Sequence, residues 1–280
     1  MIDSDTQKKS VKTEKGEIFY FFKKISDTAP TVVLLHGLSA NHTTWQVAIQ
    51  SLSTAGLNCL APDLRGHGYS DKSKKRRYYK YSVFSEDLEQ IVQAEKLSKI
   101  ILVGYSFGGF LALDFAVRNP QAVSILILIS ANHVNPLKYK KINFLTWPGY
   151  FLLNLVARLL IWQKRKNYYY FDQAASHGYW DSSLKGYTTM PLSINFWMLS
   201  ETARLDFSVQ IKNLDCPTLI IKSKADPFLS DKEASDMAGK IKNSKIAILE
   251  EPTHFLASRH QEKIAGIMVD FIKEQKLYAG

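Results

Sequence analysis

The sequence predicts an α/β fold: an open, mostly parallel sheet with helices on both faces. Short apolar runs alternate along the chain with amphipathic helical patterns. The runs are continuously rather than alternately apolar, as strands covered on both faces must be. The chain has 280 residues and a hydrophobic share of 46 %, enough for a substantial core and unlike a disordered, collagen-like or disulfide-scaffold composition.

Residues 1–16 are expected to be a flexible basic tail, since MIDSDTQKKSVKTEK lacks the apolar segment of a signal peptide. Ile18–Ile25 should open the sheet as an antiparallel edge hairpin. The parallel strands are expected at Thr31–His36, Asn58–Ala61, Lys99–Gly104, Ser124–Ser130, Pro217–Lys222 and Lys245–Glu250. Phe84, Leu88, Ile91 and Val92 fall at i, i+4, i+7 and i+8, which predicts a helix with Ser82 at its N-cap. Phe110–Arg118 reads as a second helix. The closing one spans roughly 261–275, with Ile264, Ile267, Met268, Phe271 and Ile272 on one face. The core therefore comprises 17–132 and 207–280.

Residues 133–206 break this rhythm. They hold no convincing strand yet carry four of the five tryptophans, Trp147, Trp162, Trp180 and Trp197. An insertion of that length should have structure of its own, and a helical cap is the expectation.

Composition excludes several classes. Lys and Arg outnumber Asp and Glu by 36 to 26, a net charge of +10. Yet the basic runs have no groove-entering element or stacking platform beside them, so nucleic acid is not expected as a partner. Cys59 and Cys216 are too few and too far apart for a disulfide framework or a zinc site, and both read as reduced core residues in the cytoplasm. The longest apolar stretch, Ile142–Trp162, contains Asn143, Pro148, Asn154 and Arg158, which argues against a membrane span.

The chemistry starts at Gly104-Tyr105-Ser106-Phe107-Gly108, between a strand and a helical pattern. This G-x-S-x-G context lifts a serine on a strained turn at a helix N-terminus, with glycines two before and two after to avoid collision. Ser106 is the candidate nucleophile. A serine hydroxyl needs a base that a third group orients. His254, in the loop after Lys245–Glu250, is the candidate base, and His36 reads as structural. Asp226, directly after PTLIIK, is the candidate acid. Asp215 precedes that strand, Asp231 looks like a helix start, and Asp206 is a distant alternative. The backbone amides of Phe107 and Leu38 are expected to form an oxyanion hole, with Gly37 permitting close approach. No metal is implied: His36, His42 and His67 are not spaced as ligands, and neither a P-loop nor a dinucleotide fingerprint occurs.

His36-Gly37-Leu38-Ser39 with Trp45, the run from Pro62 to Ser70 (PDLRGHGYS), Gly104–Gly109, Asp226 and His254 together resemble the α/β-hydrolase superfamily over roughly residues 17–275. The resemblance implies an eight-stranded sheet, a mobile cap after the sixth strand, a bracing role for Asp63–Ser70, and acyl-enzyme hydrolysis without a cofactor. Members that cleave epoxides or carbon–halogen bonds carry Asp at the nucleophile position, where this chain has Ser106.

The segment Leu137–Asp172 sets basic groups around Phe144, Trp147, Phe151, Leu152, Leu155, Leu159, Leu160 and Trp162. Two readings stand side by side: a pair of lid helices packing on the pocket mouth, and an interfacial surface for anionic headgroups. Trp147, Phe151 and Trp197 are expected to touch substrate. The expected activity is hydrolysis of carboxylic esters with a hydrophobic acyl or alcohol part. The alternatives are thioester, lactone or carbon–carbon bond cleavage on the same groups, or a non-catalytic ligand-binding module. The partner is a small-molecule ester, and oligomeric state stays open.

Overall fold

A computed structural model describes residues 6–135, 142–162, 190–251, 253–254 and 256–275. Its centre is an eight-stranded sheet: β1 (Thr6–Thr13), β2 (Gly16–Lys23), β3 (Thr31–Leu35), β4 (Asn58–Pro62), β5 (Ile100–Tyr105), β6 (Val123–Ile129), β7 (Thr218–Ser223) and β8 (Ser244–Leu249). The order across the sheet is β1-β2-β4-β3-β5-β6-β7-β8. β1–β2 and β2–β4 pair antiparallel and all later pairs are parallel. The six parallel strands sit within a residue or two of the apolar runs; β3 to β7 are buried on both faces, which leaves side-chain hydrophobicity to mark them, whereas the edge strand β8 keeps Ile246 and Ile248 exposed.

Alternate strand residues feed two cores. Val33, Leu35, Leu102, Leu126 and Leu128 face α2 (Tyr81–Ala94), α3 (Phe107–Arg118) and α6 (Asp231–Lys240). Val32, Leu34, Ile101, Val103 and Ile127 face α1 (Gln46–Thr54) and the closing helix α7 (Gln261–Glu274). Each fully buried Leu or Ile contributes about 1.5–3 kcal/mol, so register is fixed by two independent layers.

The N-terminus departs from expectation. Residues 1–16 are not wholly a flexible tail: β1 pairs with β2 along its whole length, from Thr6↔Lys23 to Thr13↔Gly16. Lys8, Lys9 and Lys12 disguise this strand, and lysine is also what protects a sheet edge from further pairing. Lys8 lies 3.4 Å from the Tyr69 ring centroid and Lys9 pairs with Glu95 at 2.5 Å. β2 is thus internal, not the edge. Ser82 does not cap α2; the helix begins at Tyr81 and Lys80 occupies the cap position.

Between β6 and β7 the described chain forms α4 (Thr146–Leu159) and α5 (Leu192–Thr202). Its two ends meet: Val134 bridges Asp206, Asn135 N–H donates to Leu205 O at 3.0 Å, and Phe207 N–H to His133 O at 2.8 Å. His177, Trp180 and the other residues of 136–141 and 163–189 lie outside the described residues. None of the described helices is long and apolar enough to cross a membrane.

Candidate active site

The site forms at the carboxyl ends of the central parallel strands, where the loops after β3, β5, β7 and β8 converge. β5 ends at Tyr105 and α3 begins at Phe107, so Ser106 alone makes the turn, at φ 51° and ψ −114°. This is left-handed backbone, costly for a residue with a side chain. The flanking glycines explain how it is held. A Cβ on Gly104 would stand 2.4 Å from Gly108 O, and one on Gly108 would stand 2.4 Å from Leu35 O.

Ser106 Oγ lies 2.9 Å from His254 Nε2. His254 Nδ1 lies 3.0 and 3.2 Å from the two carboxylate oxygens of Asp226. A carboxylate only accepts, so Nδ1 carries the proton and the Nε2 lone pair faces the serine hydroxyl. The structure therefore brings together the three residues that chain order singled out. Burial pushes the Asp226 carboxyl up, but the His254 hydrogen bond and the Phe228 N–H, 2.8 Å from Oδ1, hold it below the usual range. Asp231 starts α6 and Asp206 accepts from Ser208 N–H instead.

Two residues that sequence reasoning missed hold His254, one at its backbone and one at its ring. Tyr105 OH donates to His254 O at 3.0 Å, and the Phe228 ring centroid lies 4.6 Å from the His254 ring. Tyr105 occupies the variable position of G-x-S-x-G, and Asp226-Pro227-Phe228 is an Asx-type turn. Neither signal names a contact with His254, 149 residues beyond Tyr105 and 26 beyond Phe228.

Phe107 directly follows Ser106 in the chain, and the loop that carries Gly37 and Leu38 passes beside the serine. A Cβ on Gly37 would lie 3.6 Å from Ser106 Cβ, so this loop runs directly past the nucleophile. Phe107 is the first residue of α3, where the helix dipole presents partial positive charge. Among the described residues, neither the Leu38 nor the Phe107 amide donates a hydrogen bond. The loop itself is braced by buried histidines. His36 Nδ1 donates to Gly37 O at 2.8 Å, while Nε2 accepts from Leu64 N–H at 3.0 Å. Burial lowers its pKa to about 4. His67 Nε2 accepts from Ser39 N–H at 3.1 Å, and burial likewise depresses that ring. Asp63, fully buried, accepts from His42 and from Tyr69 N–H, and Gly68 at φ 44° keeps a Cβ off its carboxylate. These contacts make Asp63–Ser70 a brace.

A second missed residue group joins this loop to α5. Ser39, at φ 61°, donates from Oγ to Asn195 Oδ1 at 2.6 Å. Asn195 is buried, and among the described residues its Nδ2 has no partner. Trp197 is also buried and stacks on Tyr79, with ring centroids 5.7 Å apart. Phe151 and Trp197 line a groove of about 840 Å³ together with Arg76, Tyr150 and Leu155, but Ser106 and His254 do not border it. Trp147 is exposed and stacks edge-on against Tyr150. His133 is buried beside Asp236 and Lys240 on α6. Among the described residues no His, Cys, Asp and Glu cluster could hold a metal.

Residues 30–261 match the alpha/beta hydrolase fold family, and the chain belongs to it. Over 94 % of its length it is 25 % identical to Epoxide hydrolase 3 of Xenopus tropicalis, covering 77 % of that protein. An uncharacterized Mycobacterium tuberculosis protein is 34 % identical over 40 % of this chain and 32 % of its own length. An esterase from Thermogutta terrifontis superposes with a TM-score of 0.74 at 20 % identity, over 96 % of this chain and 98 % of that one.

Proposed function

We propose that the protein is a serine hydrolase of carboxylic esters with a hydrophobic acyl or alcohol part, acting through an acyl-enzyme. One observation carries this reading: the unbroken hydrogen-bond chain from Ser106 through His254 to Asp226, at 2.9 and 3.0 Å. His254 Nε2 takes the hydroxyl proton as Ser106 Oγ attacks the ester carbonyl carbon. The Leu38 and Phe107 amides donate to the resulting oxyanion, and Asp226 stabilises the imidazolium. The imidazolium then protonates the alkoxide leaving group, and the alcohol departs. Water, deprotonated by His254, attacks the acyl-enzyme and releases the acid with Ser106 restored. The segment 133–206 acts as a cap, with Trp147, Phe151 and Trp197 as its candidate substrate contacts.

The esterase with the same fold supports the bond class. The epoxide hydrolase relative favours a second reading, but Ser106 stands where a carboxylate nucleophile would be needed, and no Asp or Glu lies between Lys99 and Leu113. Thioesters, lactones and carbon–carbon bonds would use the same groups. Ser106→Ala should cut hydrolysis of p-nitrophenyl butyrate by about 10⁴-fold or more, and Asp226→Asn by a comparable factor. A fluorophosphonate should label the unmodified protein and leave Ser106→Ala unlabelled. An unchanged hydrolysis rate in Ser106→Ala would overturn the reading; if the rate is lost, a panel of acyl chain lengths and thioesters sorts the bond class.

A further inference from the structure

Surface helices ordinarily turn their apolar stripe inward. α4 does the reverse. Its only buried residue is Ala157, whereas Phe151, Leu152, Leu155 and Leu159 are 64, 61, 55 and 73 % exposed. Trp162, just beyond the helix, is 79 % exposed. Spacings of four from Phe151 through Leu155 to Leu159, with Leu152 three before Leu155, keep these side chains within one broad face.

Cations edge this face. Lys74 Nζ sits 4.3 Å from the Trp162 ring centroid, Arg204 sits 5.5 Å from that of Trp147, and Arg158 is exposed on α4 itself. No Asp or Glu occurs anywhere between Ile142 and Trp162, and Glu201 is already paired with Arg76 at 3.4 Å. A symmetric dimer through this face would set these like charges against each other. A membrane interface, in contrast, takes both features at once: aromatic and aliphatic groups enter the acyl boundary while Lys and Arg stay among anionic phosphates.

We infer that α4 and Trp162 form a docking surface for anionic phospholipid bilayers, with the helix lying in the plane of the interface. This inference stands apart from the chemistry at Ser106, because docking requires no turnover.

The test is flotation of the full chain with vesicles of equal parts phosphatidylcholine and phosphatidylglycerol, against phosphatidylcholine alone. The protein should float with the anionic vesicles and stay down with the neutral ones. Leu159→Ser with Trp162→Ser should lower the vesicle partition coefficient by about tenfold or more. Lys74→Glu should weaken it several-fold, and high salt should do the same. Both variants should keep the unmodified protein's thermal midpoint, since all three positions lie outside the core. Equal flotation with both vesicle types, or flotation indifferent to the double variant, would overturn the inference. So would a monomer–dimer equilibrium that the double variant abolishes while vesicles bind nothing.

Discussion

Two helices in this molecule carry a glycine near their beginning, and they are built on opposite principles. α3 starts at the nucleophile elbow, where Phe107–Ala116 are all buried and a Cβ added to Gly108 would strike the Leu35 and His36 carbonyls at 2.4 and 2.6 Å. α4 has Gly149 with nothing among the described residues within 4 Å of the equivalent position, and buries only Ala157. The first region is over-determined: a strained serine persists because sheet, helix and loop leave it no alternative. The second is constrained on one side only. The contrast predicts where change is ruinous and where it is free.

The largest structural effect should therefore come from Gly108→Ala. Both carbonyls it meets are backbone and cannot swing away, so the elbow or the β3 loop must move. The expected loss is about 3 kcal/mol or more of folding stability, read as a urea-melt midpoint, with activity lost as well. A variant that melted like the unmodified protein would show that the elbow has slack, and the contrast with α4 would fail.

Acid should act on the same region next. His36 is neutral in the folded state, with its pKa lowered from 6.5 to about 4 by burial. Above pH 6.5 neither the folded nor the unfolded chain protonates this ring, and its contribution is intact. Below 6.5 the unfolded chain gains a proton that the folded one refuses, so stability falls as pH drops towards the folded value. The size is roughly 3 kcal/mol by pH 4, of which about 2 is gone by pH 5, above the range where most carboxylates titrate. His67 acts in the same direction. Urea melts between pH 7.5 and 5 should show this slope, and a flat profile would mean that the brace does not depend on neutral imidazoles.

The contrast is sharpened by asking what the sequence displayed. The parallel strands and the order Ser106, Asp226, His254 were legible, because apolar runs and chain order each leave a one-dimensional trace. β1 was not: Lys8, Lys9 and Lys12 hide an edge strand whose evidence is its pairing partner. Tyr105, Phe228 and Asn195 were not legible either, since each acts through a contact with residues far along the chain. For α4 the apolar residues between basic groups were visible, but they state that a face is apolar and not which way it turns.

Asn195 tests whether the segment between β6 and β7 reaches into the over-determined region. Its carboxamide oxygen accepts from Ser39 Oγ at 2.6 Å, next to the Leu38 amide proposed for the oxyanion hole. Asn195→Ala removes one neutral hydrogen bond of about 1 kcal/mol. If that bond positions the loop for the transition state, kcat should fall about five- to tenfold with KM nearly unchanged. Asn195→Asp, which keeps the acceptor, should recover most of the rate. Equal loss in kcat and stability for both variants would reduce the residue to a packing role.

The smallest effect should have the opposite sign. Gly149 lies in the first turns of α4 with open space at its Cβ position. Alanine there meets nothing, while the unfolded chain loses conformational freedom that glycine alone provides. Gly149→Ala should thus raise stability by about 0.5–1 kcal/mol, a thermal midpoint higher by a few degrees at most. The same substitution at Gly108 should be destructive, so the pair differs only in what surrounds the new methyl group. If Gly149→Ala proved destabilising instead, something would have to cover that side of α4, and its apolar face could no longer be read as open.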